Sequence, residues 1–440
     1  MSGIIRMMIQ QFLNENKNSD LILHNVTSEN EFVHPTKQTS CILFIKNIQT
    51  NKTYEFCIFH QDCVNKFDKN KIIEMLNSTV GKKWVLEKKT FLQNFGEIKN
   101  LYDINLVESL TNNKTIEYSN FYTSAHLLYK NLGHNHIANH IIPFLKHKES
   151  FELFCSTVIN IINSYHIDES YNKINDIQIP TLNQIEKNGL WTTDNSPVFS
   201  QYNIYTSTGR PSNRFDNVNY SALNKDDGSR NKYVSRWGKS GKMILVDYSS
   251  FHPRIICNLI NFQIDPKIDI YSYLGELYFN KKDISEHELR EAKKLTFKQL
   301  YGGIEEKYEH IKYFNRLKDF INSQWDIFEK KGHIETSFFR RKITKFHISD
   351  PSPSKLFNYL LQASETEIAI LTLNKINCFL KDKKTKPVLY TYDSFLYDFC
   401  KEDGVDTLRE LINIQKNDCF PVKCYVGNSY GSVKFEKLLN

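Results

Sequence analysis

The sequence of 440 residues predicts an α+β protein built from several domains. Short strand-like segments occupy residues 200–260, a mostly helical stretch follows at 285–380, and strand-like segments return at 387–400 and 420–436. Strands that resume after a helical stretch indicate a sheet domain into which a helical subdomain is inserted. The chain is also too long for one hydrophobic core, so about two to four subdomains are expected.

The composition is that of a globular protein, with 40% hydrophobic, 24% charged and 13% aromatic residues. The net charge of +7 is compatible with a polyanionic partner but is too small to indicate one by itself. The nine cysteines form no Cys-x-x-Cys pair, which predicts reduced thiols and no zinc site. A signal sequence and an apolar run of roughly 20 residues are both absent. We therefore expect a soluble, cytoplasmic protein without a membrane partner.

The first 180 residues divide into two regions by pattern. Residues 40–60 are predicted to form a β-hairpin, because the apolar run CILFIKNI and the alternating run TYEFCIF flank a polar turn. Residues 70–110 alternate between helix-like and strand-like segments. Residues 116–180 are largely helical and rich in aromatic side chains, and turn residues after Pro180 mark the next change of character.

Two acidic residues stand at the ends of apolar strands. Asp247 follows the run Met243–Val246, and Asp393 follows the run KPVLYTY. Two carboxylates that meet on adjacent strands repel each other unless positive charge lies between them. Two divalent ions roughly 3.5–4 Å apart would supply that charge and would support an in-line phosphoryl displacement. The alternative is that each aspartate only caps a turn after its strand.

A third feature is the predicted helix ELREAKKLTFKQLYGGI, which two glycines end. Lys293, Phe297 and Tyr301 recur every four residues and therefore lie on one helix face. A cation and two flat rings on one face are suited to a nucleotide, with the lysine on the phosphates and the Phe297 ring against base and sugar. An amphipathic helix with ordinary aromatic packing is the alternative.

The order of these segments resembles the polymerase region of family A DNA polymerases, over roughly residues 181–440. The segment DYSSFHPR resembles motif A of that family, AKKLTFKQLYG its motif B in the fingers helix, and YDSF its motif C. Weaker similarities lie between and around them, in YTSTGRPSN, NVNYSALNKDDGSRNKYV, KKGHIETSFFRRK, NYLLQASETEIA and YVGNSYG. Each fragment alone is a weak match, but together they follow the family's order.

The resemblance implies a right-hand architecture with an antiparallel palm sheet, helical fingers and a short helical thumb. On this basis residues 181–265 and 351–440 are the two parts of the palm, and residues 266–350 are the fingers. Residues 116–180 remain for the thumb, and their small number predicts low processivity without a partner. Residues 1–115 are laid out like an α/β exonuclease domain of the RNase H-like class.

The resemblance also implies a template-dependent DNA polymerase that adds dNTPs to the 3′ end of a primer. Asp247 and Asp393 would hold two Mg²⁺ ions, for which Mn²⁺ can substitute, together with the backbone carbonyl of Tyr248. Lys293 would act in catalysis on the triphosphate.

The implied nucleotide-binding residues are Lys293, Phe297, Tyr301, Arg290 and His252. The implied primer–template contacts are Arg210, Asn217, Arg254, Asn358, Gln362 and Tyr392. Expected partners are primer–template DNA, dNTPs and a replisome or processivity protein, in the host cytoplasm if a phage encodes the chain.

The motifs depart from the family at three positions. Leu289 occupies the place of an arginine one turn before the fingers lysine, so Arg290 or Lys294 would have to reach the phosphates. Ser394 replaces the acid that usually follows the motif C aspartate, as in phage-type single-subunit RNA polymerases. His252 occupies the place of the glutamate that excludes a ribose 2′-OH. Because the imidazole is bulky, and because Phe297 is not the methionine of those RNA polymerases, we expect dNTP substrates and discrimination against dideoxynucleotides.

The exonuclease-like segment lacks the acids that a two-metal nuclease needs. The strand expected to carry an Asp-x-Glu pair is Phe44–Ile48, which has no acid, and Lys88–Thr90 stands where a further aspartate is expected. Asp103 is the one candidate that remains. We therefore predict a vestigial exonuclease domain that supports the fold and does not proofread.

Two other functions stay open at this point. A primer-making or RNA-synthesising relative is favoured by Ser394 and His252. A catalytically inactive polymerase fold could instead serve as a nucleic-acid-binding scaffold of a replisome. The presence of both Asp247 and Asp393 favours an active enzyme over the scaffold.

Overall fold

The computed structural model describes residues 3–29, 32–131, 139–416 and 419–436. The chain divides into two compact units, Met1–Asn183 and Gln184–Asn440. Within the described residues, no helix is long and apolar enough to cross a membrane.

The first unit is built on a five-stranded mixed sheet. Its strands are β1 (Leu21–Thr27), β2 (Ser40–Asn47), β3 (Thr53–Cys57), β4 (Lys83–Val85) and β5 (Leu101–Asp103). They lie in the order β3-β2-β1-β4-β5. The pairs β1–β2 and β2–β3 are antiparallel, whereas the pairs β1–β4 and β4–β5 are parallel. The predicted hairpin at residues 40–60 is confirmed as β2–β3, because the polar turn between the two strands reverses the chain. Crossover helices are required between the parallel strands, which gives the α/β class expected here.

Helices cover this sheet. They are α1 (Gly3–Asn16), α2 (Lys69–Asn77), α3 (Lys88–Asn94), α4 (Ile104–Asn112), α5 (Ser124–Asn131), α6 (Phe144–Ser164) and α7 (Glu169–Lys173), and α8 (Ile179–Asn188) follows. The core of the unit includes Phe12 of α1, Leu43 of β2 and Ile72 of α2, all fully or almost fully buried. The expectation of reduced cysteines is wrong for one pair, since Cys57 and Cys63 form a disulfide; the other seven cysteines are not in disulfides.

The segment 116–180 packs against the N-terminal sheet. Phe151 and Phe154 of α6 lie with their ring centres 6.3 and 6.2 Å from that of His24 on β1. Lys46 of β2 forms an ion pair of 2.8 Å with Glu152 of the same helix. The segment that the resemblance assigns to a thumb thus belongs to the same compact unit as residues 1–115, and the thumb assignment stays a prediction.

Asp103 has a structural role in this unit. Its carboxylate is fully buried and accepts hydrogen bonds from the backbone N–H groups of Lys88 and Leu106, each 2.7 Å long. The second of these bonds caps the N-terminus of α4. Neither β1 nor β2 contains an acid. The absence of proofreading stays a prediction.

The second unit contains the predicted antiparallel sheet. Its small strands are β6 (Leu190–Trp191), β7 (Pro197–Val198), β8 (Tyr202–Asn203), β9 (Ser212–Phe215), β10 (Val218–Asn219), β12 (His333–Glu335) and β13 (Lys342–Thr344). The main sheet consists of β11 (Gly241–Tyr248), β14 (Lys386–Tyr390), β15 (Ser394–Cys400), β16 (Val422–Gly427) and β17 (Lys434–Phe435). Its order is β14-β15-β11-β16-β17, and every pair is antiparallel.

A helical insertion separates β11 from β14 in sequence. The helices of this unit are α9 (Phe251–Leu259), α10 (Ile270–Phe279), α11 (Glu286–Gly302), α12 (Lys312–Lys331), α13 (Pro353–Phe379) and α14 (Val405–Lys416). Five of them, α9 to α13, precede β14 in the chain. This confirms the prediction of a sheet domain with an inserted helical subdomain. Met243 and Leu245 of β11 pack in a buried cluster on one face of the sheet, and Asp247 continues the same face by the two-residue period of a strand.

Acid should destabilise the first unit through His24. The ring of His24 stacks on Tyr118 with centres 3.6 Å apart. Burial, and then the nearby His147 and His126, lower the pKa of His24 from its ordinary 6.5 to about 3. Because the folded chain takes up this proton less readily than the unfolded chain, stability is retained above about pH 6.5 and is lost as the pH falls toward 3. We expect His24 to account for a loss of about 1–2 kcal/mol in the free energy of unfolding between pH 7.5 and pH 5.

The measurement is urea unfolding at both pH values for the wild type and for His24→Phe, which keeps a ring for stacking. The variant should lose less stability in acid than the wild type does. The exposed His166 supplies the control, and His166→Phe should follow the wild type. An equal loss in wild type and His24→Phe would contradict the assignment.

Candidate active site

The two predicted aspartates lie side by side where the central strands end. Asp247 is paired in register with Ser394, the residue after Asp393. The backbone N–H of Tyr248 donates a hydrogen bond of 2.8 Å to the carbonyl of Asp393. Asp393 itself stands in the tight turn between β14 and β15, where Tyr392 adopts a left-handed φ of 69°. Strand pairing across β11 and β15 therefore brings together two acids that are far apart in sequence.

Burial and nearby negative charge raise the pKa values of both acids. Burial, and then the charge of Asp393, raise the pKa of Asp247 to about 7. Burial, and then the charge of Glu365, raise the pKa of Asp393. Neither carboxylate has a cation in direct contact among the ion pairs of the described residues; Lys225, Lys423 and Lys293 act on Asp247 only as nearby charges. Such a pair favours a bound cation.

The chemistry of the available donors fits magnesium. Among the described residues, no three His, Cys, Asp or Glu side chains converge as a metal-ligand group. Mg²⁺ is commonly held by one or two carboxylates together with substrate phosphates and water, without a full protein cage. Asp247 and Asp393 are two such carboxylates, and the Tyr248 carbonyl is a hard oxygen donor on the same strand end.

One cavity of about 510 Å³ is lined by both aspartates and by the face of α11 that is predicted to bind a nucleotide. Lys293, Phe297 and Tyr301 of α11 line it, as predicted from their spacing of four. The rings of Phe297 and Tyr301 are parallel, with an interplanar angle of 9° and centres 5.8 Å apart. The Lys293 ammonium lies 5.5 Å from the ring centre of Tyr271 on α10. A flat surface, a cation and two acids thus surround one space.

Local sequence explains the position of α11. Ser285 and Glu288 form a reciprocal capping box at its N-terminus. Gly303 ends it with a φ of 98°, a backbone conformation that favours glycine. Ala292 and Thr296 on a neighbouring side of the helix are fully buried, whereas Lys293, Phe297 and Tyr301 line the cavity.

His252 lies at the beginning of α9, between the acids and α11. Its Nδ1 forms a hydrogen bond with the hydroxyl of Tyr301. Its Nε2 lies 3.1 Å from Oε1 of Glu365 on α13. The other oxygen of Glu365 lies 3.2 Å from Nε of Arg210, whose guanidinium sits 3.6 Å above the ring centre of Tyr392.

The structure does not bring every predicted residue to this cavity. Arg290 is exposed on α11, and Leu289 lines the cavity in its place. Asn217 is exposed in the turn between β9 and β10, with a φ of 60°. Asn358 and Gln362 lie one turn apart on α13, where the Gln362 amide donates to Oδ1 of Asn358 over 3.4 Å, and both are outside the lining. Their contacts with nucleic acid stay predictions.

Arg254 has a structural environment that its motif did not predict. It is buried, and its guanidinium donates hydrogen bonds of 3.1 and 2.7 Å to the carbonyls of Pro266 and Ile268. These bonds hold the loop before α10. This arrangement favours a structural role over the predicted primer–template contact.

Two residues of the site were missed by sequence reasoning. Glu365 is only 2% exposed and lies in a stretch of α13, residues 363–370, that is buried throughout. An acid in a buried helical stretch needs a partner, and that was the available signal. Lys423 of β16 pairs in register with Asp247 and lines the cavity. It could be found only once the pairing of β11 with β16 was known.

Comparison with known proteins supports the fold. No family model and no curated protein sequence matches the chain. Among solved structures, the chain is similar to the POL domain of Pol1 from M. smegmatis, described in complex with DNA primer–template and dNTP. The TM-score is 0.72 at 12% identity, over 96% of this chain and 98% of that chain. The chain therefore has the fold of a polymerase domain, and both of its compact units take part in the likeness.

Removing the charge of Asp247 should stabilise the protein when no metal is available. The raised pKa of Asp247 means that the folded chain holds this proton more tightly than the unfolded chain, so stability falls as the pH rises from about 4 to 7. In EDTA at pH 8 we expect Asp247→Asn to raise the free energy of unfolding by about 1–3 kcal/mol. The difference should disappear near pH 4.

Chemical denaturation at both pH values measures this effect. The exposed Asp406 of α14 is the control, and Asp406→Asn should change stability little at either pH. A wild type more stable than Asp247→Asn at pH 8 would show that the folded chain does not disfavour the ionised form of Asp247.

Proposed function

We propose that the protein is a template-dependent DNA polymerase that adds dNTPs to the 3′ end of a primer. The observation that carries the proposal is the single cavity in which Asp247 and Asp393 face Lys293, Phe297 and Tyr301. The polymerase fold supports it, as does the complex of primer–template and dNTP described for the similar structure. Fold alone does not determine activity, so the chemistry of the cavity bears the argument.

Asp247 and Asp393 would hold two Mg²⁺ ions, with the Tyr248 carbonyl as a further ligand. When bound, the ions would lower the pKa of the primer hydroxyl and neutralise charge on the phosphates. The contribution of the protein is then positioning, because phosphoryl transfer demands little covalent work from side chains. The raised pKa of Asp247 supports this assignment, since a bound cation would favour the ionised form that burial and the charge of Asp393 disfavour.

The remaining side chains of the cavity would receive the nucleotide. Lys293 would contact the triphosphate as a point charge, and Phe297 would stack on the nascent base pair. His252, wedged between Tyr301 and Glu365, would exclude a ribose 2′-OH, which makes dNTPs the substrates. Arg290 would contribute only by rearrangement of its side chain, because Leu289 occupies the cavity wall.

Arg210 and Tyr392 would contact the primer–template near the reacting end. Asn217, Asn358 and Gln362 would add further contacts, largely to backbone and minor groove, which bind DNA without sequence preference. The net charge of +7 is compatible with this mode of binding. We further propose that the N-terminal unit does not proofread, since Asp103 is engaged in capping α4, and that a partner protein supplies processivity.

Loss of either aspartate should abolish primer extension. Asp247→Ala and Asp393→Ala should each lower the extension rate by about a thousandfold or more, because the transition-state charge would lose its cation. The assay uses a labelled primer–template with Mg²⁺ and dNTPs, and EDTA should stop it.

The exposed Asp406 again provides the control, and Asp406→Ala should extend at the wild-type rate. Circular dichroism and DNA binding should be unchanged in all three variants. No extension by the wild type with Mg²⁺ or Mn²⁺ would contradict the proposed function and favour an inactive nucleic-acid-binding scaffold. Equal use of rNTPs would favour the RNA-synthesising alternative.

Neighbouring lysines of α11 should differ sharply in function. Lys293→Ala should raise the KM for dNTPs by about tenfold or more, because a charged contact with the triphosphate is lost. Lys294 points to solvent with a side chain 74% exposed and pairs with Glu291, so Lys294→Ala should leave KM near the wild-type value. Steady-state kinetics on primer–template measures both. A larger effect of Lys294→Ala would mean that the nucleotide face of α11 is assigned incorrectly.

A further inference from the structure

Glu365 is a buried acid to which neither the motifs nor the proposed reaction assigns a role. It is 2% exposed on α13, and each of its oxygens faces a different nitrogen. Oε1 lies 3.1 Å from Nε2 of His252, and Oε2 lies 3.2 Å from Nε of Arg210. Neither separation is a hydrogen bond by its geometry, so we describe both as close polar contacts. A buried carboxylate is costly unless such partners accompany it.

The carboxylate constrains the histidine ring. Nε2 of His252 lies 3.1 Å from an oxygen of Glu365, and an ionised carboxylate can only accept hydrogen bonds. A lone pair on Nε2 would repel that oxygen, so the contact favours the tautomer of His252 that carries its hydrogen on Nε2. Nδ1 then faces the hydroxyl of Tyr301, with which it forms its hydrogen bond. The carboxylate of Glu365, which lines the same cavity, thus sets the tautomer and the orientation of the ring, as partners of active-site histidines commonly do.

Glu365 also joins parts of the site that are distant in sequence. Through His252 it reaches the cavity and Tyr301 of α11; through Arg210 it reaches the ring of Tyr392 in the turn that carries Asp393. It lines the same cavity as Asp247 and Asp393, and its negative charge contributes to raising the pKa of Asp393.

We propose that Glu365 is a positioning residue for sugar selection, holding the His252 ring where it excludes a ribose 2′-OH. The inference rests on the proposed polymerase function. It predicts that loss of the carboxylate affects rNTPs and dNTPs differently, because a freed imidazole no longer blocks the space next to the sugar. A merely structural role would lower activity with both substrates equally.

The experiment compares kcat/KM for a dNTP and the matching rNTP in wild type and Glu365→Gln. The ratio should fall by roughly tenfold in the variant, mainly through better use of the rNTP. The matched control is Glu367→Gln. Glu367 is equally buried two residues further along α13, but its carboxylate accepts hydrogen bonds from the backbone of Phe338 and Phe339. The control should keep the wild-type ratio.

A double-mutant cycle shows whether Glu365 acts through His252. His252→Ala should lower the ratio by itself, and adding Glu365→Gln should lower it no further. A wild-type ratio in Glu365→Gln, a fall of equal size in Glu367→Gln, or additive effects in the cycle would each overturn the inference.

NMR spectroscopy tests the contact between Glu365 and His252 independently of polymerase activity. In ¹⁵N-histidine NMR spectra, the His252 signals should report hydrogen on Nε2 in the wild type and a changed tautomer balance in Glu365→Gln. If Glu365→Gln does not fold, Glu365→Asp retains the charge at a greater distance. Its selectivity ratio should then lie between those of wild type and His252→Ala, and its His252 signals should differ from those of the wild type. If the wild type extends no primer, the proposed function fails, whereas unchanged His252 signals would overturn the positioning role alone.

Discussion

The placement of Asp247 next to Asp393 at the end of paired strands is the constraint on which the rest of the site depends. Burial, and then the charge of Asp393, raise the pKa of Asp247, so its ionised form destabilises the folded chain when no metal is bound. Such a pair persists where the surrounding structure over-determines it, which is typical of functional sites. In the proposed reaction the same negative charges favour the binding of divalent cations. Binding of ions and nucleotide therefore offsets the destabilisation of the metal-free protein.

The sheet and its inserted helices hold the acids in place. Pairing of β11 with β15 and β16 buries Met243 and Leu245 and leaves Asp247 at the open end of the same face. A slip of one residue would turn Asp247 to the other side of the sheet, so the buried alternation of β11 also defines the position of the acid. Among the helices between β11 and β14, α11 lines the cavity with Lys293, Phe297 and Tyr301. Helix α13 places Glu365 next to His252.

Much of this arrangement could be predicted from the sequence because it is encoded locally. An apolar strand that ends in an acid, and a helix face with Lys293, Phe297 and Tyr301 four residues apart, are both visible in a single sequence. The role of Glu365 could not be predicted, since it depends on which side of α13 meets α9. The burial of Arg254 was missed for a similar reason: its partners are backbone carbonyls of a loop that no local pattern describes. The packing of α6 on the N-terminal sheet likewise depends on tertiary contacts, and a helical pattern alone suggested a separate segment.

The central claim is that Asp247 and Asp393 form a cation site, and Mn²⁺ binding tests it most directly. Electron paramagnetic resonance can follow free Mn²⁺ during titration of the protein with primer–template and an unreactive dNTP analogue. We predict that the wild type binds Mn²⁺, that Mg²⁺ competes for the same site, and that Asp247→Asn and Asp393→Asn each lose most of the binding. Absence of Mn²⁺ binding by the wild type, or wild-type binding by either variant, would contradict the account.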